Sequence, residues 1–360
     1  MTTKCVAYFI TGHGFGHSFR AATVMNGFPP EYRVVLFTTS PRSFFEEELN
    51  RDFELVECQL DCGCLQKDSV MIDAEATLKK YEAINANRHT LIDRFCKELI
   101  ERKVDLVIAD IPPLAFVVAA KANVPSIGIS NFTWADIYEP YLSRFPEYDK
   151  LINQIKEDCS IASHYVLLRP GFEALECLRG KVVDAGLLAR QGRSKREDIA
   201  SAIGLDPKKK WCYFYIGPWG LDLDWSRVAK MSEQWQFFGF DEHKGAPANY
   251  IKVKKDKDKL LSQDLVASCD LVFSKLGYGL ISECLRFGKP ILFLPRVDFA
   301  EYDLFKKYLE GRGQGVEIAV DDFRSFNIAE PMDGFVSKAS EPLAAGALEV
   351  ILGLVAAKHK

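Results

Sequence analysis

No apolar stretch of this sequence approaches the roughly 18–20 residues that a membrane-spanning helix needs, and its start lacks the charged-then-apolar form of a leader. The expectation is a cytoplasmic protein. Nor is there an excess of positive charge: 46 Lys and Arg stand against 50 Asp and Glu, with a formal net charge of −4 and an isoelectric point near 6.0. That excludes nucleic acid as the principal partner. No Gly-Lys-Ser/Thr closes a glycine turn, so there is no Walker phosphate loop, and no G-x-G-x-x-G run supplies a dinucleotide fingerprint. Cysteine is plentiful, with 10 residues, but Cys58, Cys62 and Cys64 match no common zinc spacing and have no histidine near them in sequence. The expectation is reduced thiols and no metal.

What is present is a strand-and-helix alternation of ordinary globular composition, 48% apolar and 27% charged. At 360 residues the chain exceeds the ~250–300 at which single cores stop growing. Strands are expected at 5–11, 33–39, 53–58, 106–109, 126–130 and 165–168, then at 211–216, 236–239, 250–253, 271–274, 291–294 and 316–318, with a long helix over 73–103. The pattern loosens around 182–193, and Ser194 with Glu197 reads as a capping box. The reading is α/β, with an amino-terminal Rossmann-like domain over 1–186, a second Rossmann-like domain over 187–340, and a closing helix over 341–360 that packs back across the boundary.

Two glycine turns carry the chemistry. In the first, Val6–Ile10 breaks at Thr11-Gly12-His13-Gly14-Phe15-Gly16-His17 before a helix. Open α/β sheets place ligands at such crevices, and histidine titrates near neutral pH. In the second, Leu271–Ser274 leads through Lys275-Leu276-Gly277-Tyr278-Gly279 into a helix carrying Glu283. Glycines there admit close approach of backbone amides to an anion, and the helix dipole points at the same spot. Glu283 has the position to accept ribose hydroxyls. Asp110 either orients a histidine or caps the helix that follows Pro112-Pro113. Phe132, Trp134, Tyr138 and Tyr141 form either an acceptor platform or interdomain packing. Asp222-Leu223-Asp224 reads as a helix start with Asp224 as N-cap rather than as a metal loop.

The run Ser274-Lys275-Leu276-Gly277-Tyr278-Gly279-Leu280-Ile281-Ser282-Glu283 resembles the donor-binding segment of GT-B glycosyltransferases, including the N-acetylglucosaminyltransferase that forms lipid II. The chain is still more similar to the amino-terminal, glycosyltransferase-like half of L-arabinokinases. That likeness rests on Thr11–His17, Leu60-Asp61-Cys62-Gly63, Asp68 through Tyr81, Ser130-Asn131-Phe132-Thr133-Trp134 and Lys275–Gly279, and extends to about residue 335. The galactokinase-type half is absent from this sequence, so the resemblance implies no kinase.

The resemblance implies a GT-B fold and an inverting, metal-independent transfer of a hexose or pentose from a nucleotide diphosphate sugar, UDP before GDP, to an unknown hydroxyl acceptor. No cofactor is implied; the nucleotide sugar is a co-substrate. His17 stands where the family has its base and Asp110 where it has the orienter, with His13 the competing base. Donor contacts carry over to Gly217, Ser274, Lys275, Gly277, Tyr278, Gly279, Glu283 and Arg296, with Asp298 and Glu301 both open for the sugar hydroxyls. Gly217-Pro218-Trp219-Gly220 takes the place of a second phosphate loop but departs in composition, since proline has no amide hydrogen. Acceptor contacts fall on Gly14, Phe15, Asn131 and Trp134. The rivals are a nucleotide-sugar 2-epimerase, whose arginine-rich first loop is missing here, and a non-catalytic nucleotide-sugar-binding protein.

Overall fold

The computed structural model describes residues 4–68, 70–216, 223–254, 260–336 and 340–358. Within them the apolar runs form two parallel sheets. The first contains β1 (Lys4–Ile10), β2 (Tyr32–Thr38), β3 (Phe53–Glu57), β4 (Leu106–Asp110), β5 (Ser126–Ser130), β6 (His164–Leu168) and β7 (Val182–Gly186), in the order β3-β2-β1-β4-β5-β6-β7. The second contains β8 (Lys210–Tyr215), β9 (Trp235–Gly239), β10 (Tyr250–Lys252), β11 (Leu271–Lys275), β12 (Ile291–Leu294) and β13 (Gly315–Glu317), in the order β10-β9-β8-β11-β12-β13. β1, β4, β5 and β12 are buried along nearly their whole length. Helices cover both faces of a parallel sheet, so central strands such as β1 and β12 are apolar along nearly their whole length, whereas β3 and β7 at the edges carry charge. This is the two-domain Rossmann-like arrangement of the GT-B fold.

Strand order reverses beside β1 in one sheet and beside β8 in the other, and ligand crevices open at the carboxyl ends of strands at such reversals. The Thr11–Gly16 turn follows β1, and Ile10 lies opposite Asp110 at the end of β4. In the second sheet Tyr215 ends β8 opposite Ser274 of β11, just ahead of the Gly277 turn.

The structure departs from the sequence expectation in three places. The stretch that loosens near 182 contains β7, a half-exposed edge strand that pairs with β6 through a register shift. The helix expected over 73–103 is two, Ala74–Ala86 and Arg88–Glu101, broken at Asn87 (φ −96°, ψ 11°). Ser194 does not cap the helix Arg196–Ile203; Lys195 holds that position without a side-chain cap, its N–H donating to Ser268 Oγ at 2.9 Å. A tertiary acceptor replaces the local one. Asp224 does cap Trp225–Lys230, accepting from the Ser226 N–H, while Asp222 lies outside the described residues.

The two sheets face each other across a closely packed interface. Tyr141 Oη donates to the Asp298 carbonyl at 2.6 Å, Arg144 pairs with the Asp298 carboxylate at 3.0 Å, and Val297 N–H donates to Val70 O at 2.7 Å. The final helix, Ala347–Ala357, returns to the first sheet's side. There Leu348 and Leu352 pack over Gly27, at the end of the helix Gly16–Asn26, and the Ala347 N–H donates to Leu187 O at 3.3 Å.

Candidate active site

The Gly16–Asn26 helix starts at the end of the first glycine turn and places His17 and Arg20, three residues apart, on one face. Both point at Asp110. His17 Nδ1 lies 2.7 Å from Asp110 Oδ1, and Arg20 grips the same carboxylate with two donors, Nε to Oδ2 and Nη2 to Oδ1, each at 2.6 Å. Asp110 is 0% exposed and does not cap the following helix, whose N-cap is Pro113. Burial pushes its carboxyl up, but the Arg20 guanidinium and His17 together hold it below the usual carboxylate range. Arg20 Nη2 also approaches His17 Nδ1 to 2.9 Å. The Arg20 contact would suit a bare Nδ1, but that would set its lone pair against a carboxylate oxygen at the shorter distance of 2.7 Å, so the charge-assisted contact to Asp110 favours the proton on Nδ1. That leaves Nε2 with its lone pair free, and no described residue bonds to it.

His13 is a different group. The Cys64 N–H donates to its Nδ1 at 3.3 Å, which places the proton on Nε2 and makes that atom a donor. Burial, with help from His17 and Arg296, lowers its pKa to about 3, so it is neutral at any working pH. The loop supplying Cys64 has no room to vary: Gly63 sits at φ +62°, and a Cβ there would fall 2.2 Å from His13 Cβ. A histidine thus does lie against the cysteine cluster, brought from the first turn. Burial pushes the thiols of Cys62 and Cys64 up to about 12, all ten cysteines are free, and among the described residues no group of three or more His, Cys, Asp and Glu could hold a metal ion.

The aromatic segment packs the interior. Trp134 and Tyr138 are 0% exposed and stack at 5.4 Å, and Trp134 Nε1 donates to Asp61 Oδ2 at 2.7 Å. Asn131 is likewise sealed, accepting from Arg20 Nη1 at 2.7 Å and donating to Glu301 Oε1 at 2.8 Å across the interface. Asn131 and Trp134, both expected at the acceptor, have no exposed surface. Phe15 is 49% exposed and stacked on Phe44 at 5.1 Å, and Cβ atoms built at Gly14 or Gly16 would meet open space. The open face of the turn is there.

On the second domain, Gly277 caps the helix Tyr278–Phe287, and Cβ atoms at Gly277 and Gly279 would also meet open space. The first-turn amides of that helix therefore stay accessible to an anion. Lys275 and Arg296 flank the turn, and neither has an ion-pair partner among the described residues. Burial, reinforced by Arg296, brings the Lys275 pKa down to about 8. Three residues expected at the donor have protein partners. Ser274 is buried and donates to the Lys275 carbonyl at 3.0 Å. Tyr278 directs its hydroxyl to the domain boundary, donating to Arg169 O of the first domain at 3.2 Å and accepting from Leu188 N at 3.1 Å, while Arg20 lies 5.0 Å over its ring. Glu283 is 1% exposed and pairs with Arg190 Nε at 2.5 Å. Its Oε2 has no partner, and a small cleft lined by Arg20, Arg190, Tyr278, Gly279 and Glu283 opens beside it. Gly217 lies outside the described residues. Of the two open acidic candidates, Asp298 turns to Arg144 at the rim, whereas Glu301 sits buried among Asn131, His17, Arg20 and Arg296.

No protein-family model matches the chain. The L-arabinokinase of Arabidopsis thaliana is 29% identical over 319 residues, 87% of this chain, which spans 30% of that protein's length. Among solved structures, a UDP-glucosyltransferase from Polygonum tinctorium, described as capable of glucosylating indoxyl, superposes with TM-score 0.65 at 13% identity, covering 99% of this chain and 98% of its own. The calicheamicin glycosyltransferase CalG4 gives 0.63 at 13% identity over 99% and 95%, and Acinetobacter baumannii MurG gives 0.55 at 15% identity over 98% and 99%. The fold is that of the GT-B glycosyltransferases, and among the described residues no helix is long and apolar enough to cross a membrane.

Proposed function

We propose that the chain transfers a hexose or pentose from a nucleotide diphosphate sugar to a hydroxyl acceptor, with inversion and without a metal ion. The observation that carries this reading is the 2.7 Å contact that holds His17 Nδ1 on Asp110 with Nε2 unengaged, at the strand-order reversal of the first sheet. An alcohol is a feeble nucleophile, and an imidazole held by a carboxylate is a common way to activate it. The acceptor proton passes to His17 Nε2 as its oxygen attacks the anomeric carbon. The bond to the diphosphate breaks on the opposite face, and its electron pair leaves with the nucleotide. Asp110 stabilises the imidazolium that results. The first-turn amides at Tyr278 and Gly279, the helix dipole, Lys275 and Arg296 face the departing charge. His13 Nε2–H and Glu301 address hydroxyls of sugar or acceptor, and Gly14 and Phe15 form the acceptor's entry. UDP is favoured over GDP because solved neighbours of this fold include complexes with UDP, and dTDP occurs among them too.

Product anomeric configuration read by proton NMR, on material treated with EDTA, tests the reaction type. Inverted product at an undiminished rate is expected; a strict Mg²⁺ or Mn²⁺ requirement, or retention, overturns the mechanism. For the donor site, Glu283→Ala should weaken UDP binding by about 1.5–3 kcal/mol, as loss of a charge-assisted bond from ribose to the unpartnered Oε2. Unchanged affinity by calorimetry in the folded variant removes Glu283 from the donor site.

A further inference from the structure

Asp110 does not serve His17 alone. Both its oxygens are held by the Arg20 fork, and His17 shares only Oδ1. The guanidinium is itself fixed on every side. Nη1 donates to Asn131 Oδ1 at 2.7 Å, Nη2 reaches Ser130 Oγ at 3.2 Å, the Tyr278 ring lies beneath at 5.0 Å, and Arg20 is 5% exposed. Asn131 is anchored in turn by Glu301 of the other domain. This is a built feature on the helix that carries the histidine, and transfer as described above makes no use of it.

A lone buried carboxylate beside an imidazole favours the protonated ring, often by about 1–3 pH units. A base already protonated at neutral pH accepts nothing. The other titratable groups facing His17 are His13 from the glycine turn, Asp61 from the loop after β3, and Glu301 from the helix Ala300–Gly311. His13 is neutral. Asp61 has both oxygens engaged, by Thr11 Oγ1 and Trp134 Nε1, each at 2.7 Å, and Glu301 is bonded to Asn131. Burial raises both carboxyls, and the donors bonded to them pull the other way. Asp110 is the carboxylate bonded to the His17 ring itself, and the Arg20 cation is bonded to both its oxygens.

We propose that Arg20 is a positioning residue that takes up most of the Asp110 charge, so that the carboxylate orients the His17 ring with little charge left to draw a further proton onto it. This rests on the reading of His17 as the base, but its test does not. The full chain labelled with ¹⁵N-histidine has six imidazoles, and His17 is assigned by the signal lost in His17→Gln. In Arg20→Met the His17 titration midpoint should rise by about one unit or more, a tenfold gain in proton affinity. In Arg20→Lys, which keeps the charge but not the two-pronged grip, it should rise by a smaller amount. The acid limb of kcat/KM should move up in pH with the NMR midpoint. A midpoint that stays or falls in Arg20→Met overturns the proposal, as does an unmoved midpoint in Arg20→Lys where Arg20→Met does not fold. A raised midpoint in a protein that transfers no sugar keeps the role of Arg20 and sinks the transferase reading instead.

Discussion

Replacing His17 by alanine is expected to lower the rate of sugar transfer by about 10²–10⁴-fold, the usual worth of a positioned general base, while nucleotide affinity stays where it was. The separation follows from the architecture: His17 belongs to the first domain and the glycine turn at Gly277 to the second. Asp110→Asn should also be severely impaired, and the double variant scarcely worse than His17→Ala, because residues acting as a unit lose activity non-additively. Rates must be referred to folded protein, since Asp110→Asn strips Arg20 of its counter-ion in a site only 5% exposed. His13→Ala should cost less, because its Nε2 is a donor and not a base. A dead His13→Ala beside an active His17→Ala would reverse the assignment.

Arg190→Met is expected to cost about 3–5 kcal/mol of stability, the penalty for leaving a buried charge without its partner. Glu283 has no alternative cation within bonding distance, and one carboxylate oxygen is already unpartnered. The loss depends on pH. Burial raises the Glu283 pKa, an effect that Arg190 opposes; without Arg190 the folded state holds that proton more tightly still. An acid raised on folding binds more protons folded than unfolded, so stability falls as pH climbs from about 4.3, the unfolded value, through the folded one. The deficit in Arg190→Met should therefore be smallest near pH 4 and widen toward neutrality, and Glu283→Gln in the same chain should flatten the curve. Denaturant titrations of wild type, both single variants and the double variant between about pH 4 and 8 read this directly. A pH-independent deficit contradicts an ionised buried pair.

The parallel α/β architecture was legible because strands buried on both faces are written as continuous apolar runs. Strands such as Lys4–Ile10 and Ile291–Leu294 stand where those runs stand. β7 was not legible, since an edge strand with one wet side carries charge and glycine among its apolar residues. The approach of His17 to Asp110, 93 residues away, could be anticipated once both were placed at the carboxyl ends of neighbouring strands. Arg20 could not be anticipated in that way, although its spacing of three from His17 on a helix was an available signal. What no local pattern holds is how the halves dock. Tyr278 bonding to Arg169 and Asn131 meeting Glu301 depend on docking, and they give residues expected at ligands a partner across the interface. Trp134 and Tyr138, for which an acceptor platform was one of two sequence readings, are sealed among first-domain partners such as Asp61, Gly63 and Tyr81.

The measurement that bears most directly on the account is nucleotide release from a panel of UDP- and GDP-linked hexoses and pentoses, with and without added sugar, alcohol and phenol acceptors. The account predicts free nucleotide diphosphate that depends on an acceptor and is lost in His17→Ala. An isomerised nucleotide sugar formed with no acceptor present, or tight nucleotide-sugar binding with no release under any acceptor, would contradict it.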